Sequence, residues 1–178
     1  SKRFARGFVD FRKGDSVIRL SLAICLALSL ASAFAQTQTN ASVEEIIKAL
    51  APAVKTRSLG RNLQVESPKI DLSIAFDFDS AKLKDDSKPQ LDRLIEALKN
   101  DRLASLRFQV EGHTDAQGSA AYNDALSTRR ADAVVTYLTQ GGVEKDRLQS
   151  IGKGFMELLD PNDPRAAKNR RVRVLTLE

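Results

Sequence analysis

The sequence predicts an α/β fold: a two-layer β-α-β-α-β-β sandwich in which a small mixed four-stranded sheet carries two main helices on one face. Three observations point there. Ile70, Leu72, Ile74, Phe76 and Phe78 alternate with polar or small residues, and Leu106, Phe108 and Val110 do the same. This is the period-two pattern of strands buried on one face. Leu91, Leu94, Ile95 and Leu98 fall at the i, i+3, i+4, i+7 spacing of a helix with one apolar stripe. A further helical stretch follows the second strand and closes at Gly141-Gly142, so strands and helices take turns along the chain.

In chain order, residues 1–35 are expected to form a secretory signal peptide. Lys2, Arg3, Arg6, Arg12, Lys13 and Arg19 precede the apolar run Leu20 to Ala31, which is too short to span a bilayer, and Ala33-Phe34-Ala35 supplies a small-x-small cleavage site. Residues 36–69 then read as a tether with a short helix and a linker. Gln36 to Ser42 is polar, Ser42 and Glu45 form a capping box ahead of Ile46, Ile47 and Leu50, and Pro52 closes the helix. Residues 53–69 are basic and irregular. The domain proper is expected over 70–178. Its first strand runs from Ile70 through Phe78 and delivers Asp77, Asp79 and Ser80 to its end. Ser87 and Gln90, with Pro89 in the first turn, predict a second capping box. The second strand, Leu106 to Glu111, feeds a polar turn and the long helix. A third strand is predicted at Leu148 to Ile151, then a Gly- and Pro-containing loop, then a fourth strand at Arg171 to Leu177.

Charge narrows the functional classes. The whole chain has 28 Lys and Arg against 23 Asp and Glu. Six of the former and two of the latter precede Gln36, so the remainder carries 22 against 21, nearly neutral. The basic pI therefore belongs to the N-terminal segment and is no argument for nucleic acid. The single Cys25 lies in the apolar run, which leaves the domain without disulfide or thiol-metal chemistry.

The densest polar stretch is Glu111 to Arg130: a strand end, a turn with Gly112 and Gly118, and the opening of a helix. On a helical wheel at about 100° per residue with Leu126 at 0°, Arg130 falls at about 40°, inside the apolar half, and Arg129 at about 300°, among Asp132, Thr136 and Thr139. An arginine on a packing face must reach solvent or hold an anion. Two readings stay open: an internal salt bridge to Asp115 or Asp79, or an Arg130 and Asp115 pair held apart to receive a ligand bearing both a carboxylate and an ammonium group.

The assembled motifs resemble the OmpA-like peptidoglycan-binding domain family. They are Phe76-Asp77-Phe78-Asp79-Ser80, Val110-Glu111-Gly112-His113-Thr114-Asp115, Gly118-Ser119, Tyr122-Asn123, Leu126-Ser127, Arg129-Arg130-Ala131, Gly152-Lys153-Gly154 and Asn169-Arg170-Arg171-Val172, in order over roughly residues 70–178. The resemblance implies non-covalent binding of the diaminopimelate residue of peptidoglycan stem peptides; no cofactor and no metal are expected. It implies that Asp115 and Arg130 hold the amino and carboxyl groups, that Asn123, Thr114, Asp79 and Ser80 support the pocket, and that Arg170 or Arg171 closes it. Many members carry Gly-Arg-Ala ahead of the Asn-Arg-Arg motif, where this chain has Asp163 to Lys168. The implied location is exported and periplasmic, as a member without its own β-barrel, with meso-diaminopimelate-type peptidoglycan as partner and outer-membrane or envelope-complex proteins as further candidates.

Competing classes are a cell-wall hydrolase and an adaptor of a larger envelope complex. His113 is the one histidine, Thr114 separates it from Asp115, and no Gly-x-Ser-x-Gly elbow occurs. One histidine without cysteine is a poor zinc set. Arg170, Arg171 and Arg173 lack the interleaved aromatics of a nucleic-acid surface. For the adaptor, the Ser42 to Leu50 helix offers an apolar face to a partner or to its own domain.

Overall fold

The computed structural model describes residues 41–52 and 67–177. The signal peptide expected at 1–35, most of the tether and the linker from 53 to 66 lie outside them. The described elements are α1 (Val43–Leu50), β1 (Lys69–Leu72), α2 (Lys88–Leu98), β2 (Arg107–His113), α3 (Ala120–Gln140), β3 (Leu148–Gly152) and β4 (Arg171–Leu177). The strands form one mixed sheet in the order β1-β4-β2-β3, with β2 and β3 parallel and the other pairs antiparallel. This is the predicted α/β sandwich, with α1 as a third helix in the layer.

One face of the sheet makes the core. Ile70, Leu72, Phe108, Val110, Val172 and Val174 meet Leu91, Leu94 and Leu98 of α2, Val134 and Leu138 of α3, and Ile46, Ile47 and Leu50 of α1. The apolar side of α1 is thus buried against its own domain and is not available to a partner. Its capping box forms as the sequence predicts, with Ser42 accepting from the Glu45 N–H and Glu45 accepting from the Ser42 N–H at 2.8 Å. Thr176 Oγ1 donates to Leu50 O at 2.7 Å and fixes the far end of α1 to β4.

The opposite face carries charge. Asp71 and Glu111 both sit opposite Arg173 in the register, and His113 sits opposite Arg171. Arg171 and Arg173 each donate to Asp71, at 2.8 and 2.9 Å. Lys153 lies 3.3 Å from Glu111.

Two sequence expectations need correction. The alternation from Ile70 to Phe78 is not one strand. β1 ends at Leu72, opposite Val172, because β4 begins at Arg171 and the residues before it are folded into a 3-10 turn, Ala167–Asn169. The chain beyond finds other partners: the Lys84 N–H donates to Ala75 O, the Asp77 N–H donates to Lys82 O, and Phe76 bridges Leu83. Asp79 then turns the backbone with φ of 51°. Phe78, in phase with the buried residues, is fully exposed. The second capping box does not form either. Ser87 Oγ instead accepts from the Ala75 N–H at 2.6 Å, and Gln90 is buried, donating to Ala41 O at 3.3 Å.

Candidate ligand-binding cleft

The C-terminal end of β2 and the first turns of α3 can meet because the strand ends are glycines. A Cβ on Gly112 would collide with the Ser127 carbonyl, and one on Gly152 with Thr128, so only glycine lets α3 lie this close to β2 and β3. Ser127 exploits the contact, its Oγ accepting from the Gly154 N–H at 2.9 Å and donating to Asp124 O at 2.9 Å. Ser119 caps α3 by accepting from the Tyr122 N–H at 3.2 Å.

These contacts set the rim of a cleft of about 650 Å³ lined by residues of three stretches: Phe76 to Asp79 with Lys84, Thr114 to Gly118, and Tyr122 to Arg130, with Arg170 from beyond the chain's last loop. Of the residues the sequence singled out, Asp79, Thr114, Asp115, Asn123, Arg130 and Arg170 line it. Ser80 contributes from behind, its carbonyl accepting from Arg130 Nε at 3.0 Å. Its hydroxyl braces the turn by accepting from the Lys82 N–H at 2.9 Å. Arg171 is not brought in. It is buried on the charged face, donating to Asp71 and to the Glu157 carbonyl at 3.0 Å.

The charged groups in the cleft are held differently from one another. Asp115 is buried; its Oδ1 accepts from the Gln117 N–H at 3.1 Å and its Oδ2 from Arg170 Nη1 at 2.7 Å. Arg130 is half-buried, as the wheel predicts, with Arg129 exposed beside it. Its guanidinium lies 4.9 Å from the Phe76 ring centroid, a cation–π distance. With Nε committed to Ser80, the terminal Nη1 and Nη2 make no hydrogen bond among the described residues. Those two groups form the end-on fork that accepts a carboxylate. Burial first, and then the guanidinium of Arg170, lower the Arg130 pKa from its usual value, against the pull of Asp115 and Asp79. Neither of the internal salt bridges that the sequence left open for Arg130, to Asp115 or to Asp79, is present; Asp115 is paired with Arg170 instead.

Around these groups the neutral side chains give shape. Asn123 Nδ2 donates to Gln117 O at 2.7 Å and Ser119 O at 3.1 Å, locking the turn onto the helix start. Thr114 Oγ1 is buried with no hydrogen-bond partner among the described residues. His113 does not line the cleft; its Nε2 lies 3.4 Å from Glu111 on the charged face. Sequence reasoning missed Asn169, fully buried, which accepts from the Asp160 N–H at 2.8 Å and donates to Asp163 O at 2.9 Å. It shapes the loop that presents Arg170, and its signal was its place at the head of the Asn-Arg-Arg motif. Phe76, the platform beneath Arg130, was read in the sequence as a strand residue and as the head of the Phe76-Asp77-Phe78-Asp79-Ser80 motif, without a role in the site.

A second cleft, about 680 Å³, opens between α1 and β1. Glu45 and Arg170 also line it, and its buried guanidinium, Arg171, is bonded to Asp71. Only the first cleft presents a half-buried cation with an open donor fork. Among the described residues no group of three acidic, histidine or cysteine side chains converges to hold a metal.

A family model described as the OmpA family matches residues 75–172, more than half of the chain. The chain belongs to the OmpA family. Among its relatives is outer membrane porin F of Pseudomonas aeruginosa, 37% identical over 110 residues, which are 60% of this chain and 31% of that protein. The chain thus spans about a third of that relative's length. Among solved structures, the peptidoglycan-associated lipoprotein from Burkholderia pseudomallei is 28% identical with a TM-score of 0.50, over 58% of this chain and 88% of that one. The OmpA-like domain of FopA1 from Francisella tularensis shares the fold, with a TM-score of 0.54 at 22% identity over 65% of this chain and 75% of that one.

Proposed function

We propose that the domain binds peptidoglycan without covalent chemistry, by gripping the free amino-acid end of a diaminopimelate residue in the stem peptide. Asp115 receives the ammonium and the Nη1/Nη2 fork of Arg130 receives the carboxylate. The observation that carries this reading is a buried carboxylate and a half-buried guanidinium in one cleft, not bonded to each other. The family membership and the likeness to a peptidoglycan-associated lipoprotein support the polymer. A lysine in place of Arg130 could not make the two parallel bonds.

Charge-assisted hydrogen bonds contribute about 1.5 to 3 kcal/mol each, while association costs roughly 4 kcal/mol or more. One stem peptide is therefore held weakly, and retention comes from many sites on one polymer. That is the behaviour of an anchor. We place the protein in the periplasm after export, where it holds itself or an envelope assembly to the wall at the outer-membrane side. The hydrolase alternative is disfavoured because His113 lies beside Glu111 and outside the cleft.

The test is co-sedimentation of residues 36–178 with diaminopimelate-type sacculi, paired with backbone amide shifts on titration with meso-diaminopimelate. Shifts clustered at Thr114 to Asn123 and loss of most binding in Arg130→Lys and Asp115→Ala are expected. Undiminished pull-down by both variants would sink the assignment, and soluble muropeptides released from sacculi would make the protein an enzyme.

A further inference from the structure

Asp115 is already satisfied. Both of its oxygens accept hydrogen bonds, one from a backbone N–H and one from Arg170, so a ligand's ammonium meets a carboxylate that has a cation in place. The two parts of that arrangement differ in rigidity. Asp115 is buried, with its backbone at the end of β2, whereas the Arg170 side chain is 46% exposed. Its main chain is fixed, the Arg170 N–H donating to Ala167 O at 3.0 Å and the loop behind it held by Asn169. Only the guanidinium is free to swing. Arg130, lining the same cleft, has an open donor fork and no anion.

Resting on the cleft reading above, we propose that Arg170 is an internal stand-in for the ligand's ammonium, exchanging partners on binding. The incoming ammonium takes over Asp115 Oδ2, and the released Arg170 guanidinium turns to the ligand's carboxylate, which it shares with Arg130. A carboxylate has about four acceptor sites, enough for both arginines. The exchange leaves Arg170 paired with an anion only when the ligand brings a carboxylate next to its ammonium. A ligand end with the ammonium alone, such as a lysine side chain, expels Arg170 and leaves it without an anion. Arg170 therefore acts as a specificity-determining residue, selecting against lysine-type ends in addition to whatever Arg130 contributes.

The consequence for Arg170→Ala is asymmetric. The substitution removes one pair from the free protein and one from the diaminopimelate complex, so affinity for that ligand stays within about threefold. The lysine-type ligand no longer has to expel a cation and binds about tenfold tighter, the equivalent of one modest charge-assisted bond. The experiment titrates wild type and Arg170→Ala with meso-diaminopimelate and with Nα-acetyl-L-lysine N-methylamide, following backbone amide shifts into the millimolar range. Amide dispersion of the free variant checks that it is folded. Tightening of the lysine analogue alone, collapsing the preference about tenfold, is the expected result. A lysine analogue that binds the variant no better than wild type, or equal weakening of both ligands, overturns the exchange while leaving the cleft assignment standing. No shift with either ligand in wild type removes the cleft assignment, and the exchange with it.

Discussion

Glu111 is a carboxylate buried on the charged face of the sheet, and its environment makes stability pH-dependent. Burial by itself pushes its pKa up, but the nearby His113 imidazole, a hydrogen bond from Gln109 and the charge of Lys153 outweigh that and lower it from 4.5 to about 2. A group whose pKa is depressed by folding contributes stability above its unfolded pKa and loses it as pH falls through the folded value. The gap from 4.5 to about 2 corresponds to roughly 3 kcal/mol, lost between those two pH values. Urea midpoints measured from pH 5 down to pH 2 are expected to fall in wild type, and Glu111→Gln is expected to be less stable at neutral pH with a flatter acid limb. Parallel limbs in the two proteins would assign the pH dependence to other carboxylates. At Arg130 the sequence was informative, because a wheel separates it from Arg129 by periodicity alone. The pairing of Asp115 with Arg170 was not, since the two lie 55 residues apart. Likewise nothing in Asn-Arg-Arg distinguishes Arg170 from Arg171 until the start of β4 sends one to the cleft and the other to Asp71.

Two capping signals that look alike in sequence ended differently. Ser42 and Glu45 sit at an exposed helix start and close on each other, so local chemistry prevails. Ser87 and Gln90 are both buried, and each is taken by a distant backbone group, Ala75 and Ala41, which leaves α2 to begin through a 3-10 turn. Ser42→Ala is expected to cost about 1 kcal/mol, the usual loss of an N-cap. Leu50→Ala, in a fully buried side chain of α1, is expected to cost about 2 to 5 kcal/mol in urea unfolding. A Leu50→Ala effect below about 0.5 kcal/mol would mean that α1 does not belong to the cooperative unit. The first strand shows the same competition. Its period-two pattern persists to Phe78, but a strand extends only as far as its neighbour does, and β4 begins opposite the residue after Leu72.

The sheet and its helical layer act together to hold the cleft. Gly112 and Gly152 let α3 settle on adjacent parallel strands, and that close approach brings the start of the helix, the end of β2 and the loop after β3 to one place. Gly112→Ala, which would drive a methyl into the Ser127 backbone, is expected to destabilise by about 3 kcal/mol and to weaken co-sedimentation through displacement of α3. An unchanged urea midpoint would refute the close-packing account. Chain order and hydrophobic period were enough to establish the α/β class and nearly every element, periodicity singled out Arg130, and the family resemblance of the motifs pointed to Asp79, Thr114, Asp115, Asn123 and Arg170, which line the cleft with it. Period and motif are short-range properties, carried by residues a few positions apart. Folding in three dimensions decided where β1 stops, which cap forms, where the apolar face of α1 goes and which cation Asp115 holds. Each of those is a choice between a local partner and a remote one, and the remote partner exists only once the sheet has brought it within hydrogen-bond reach.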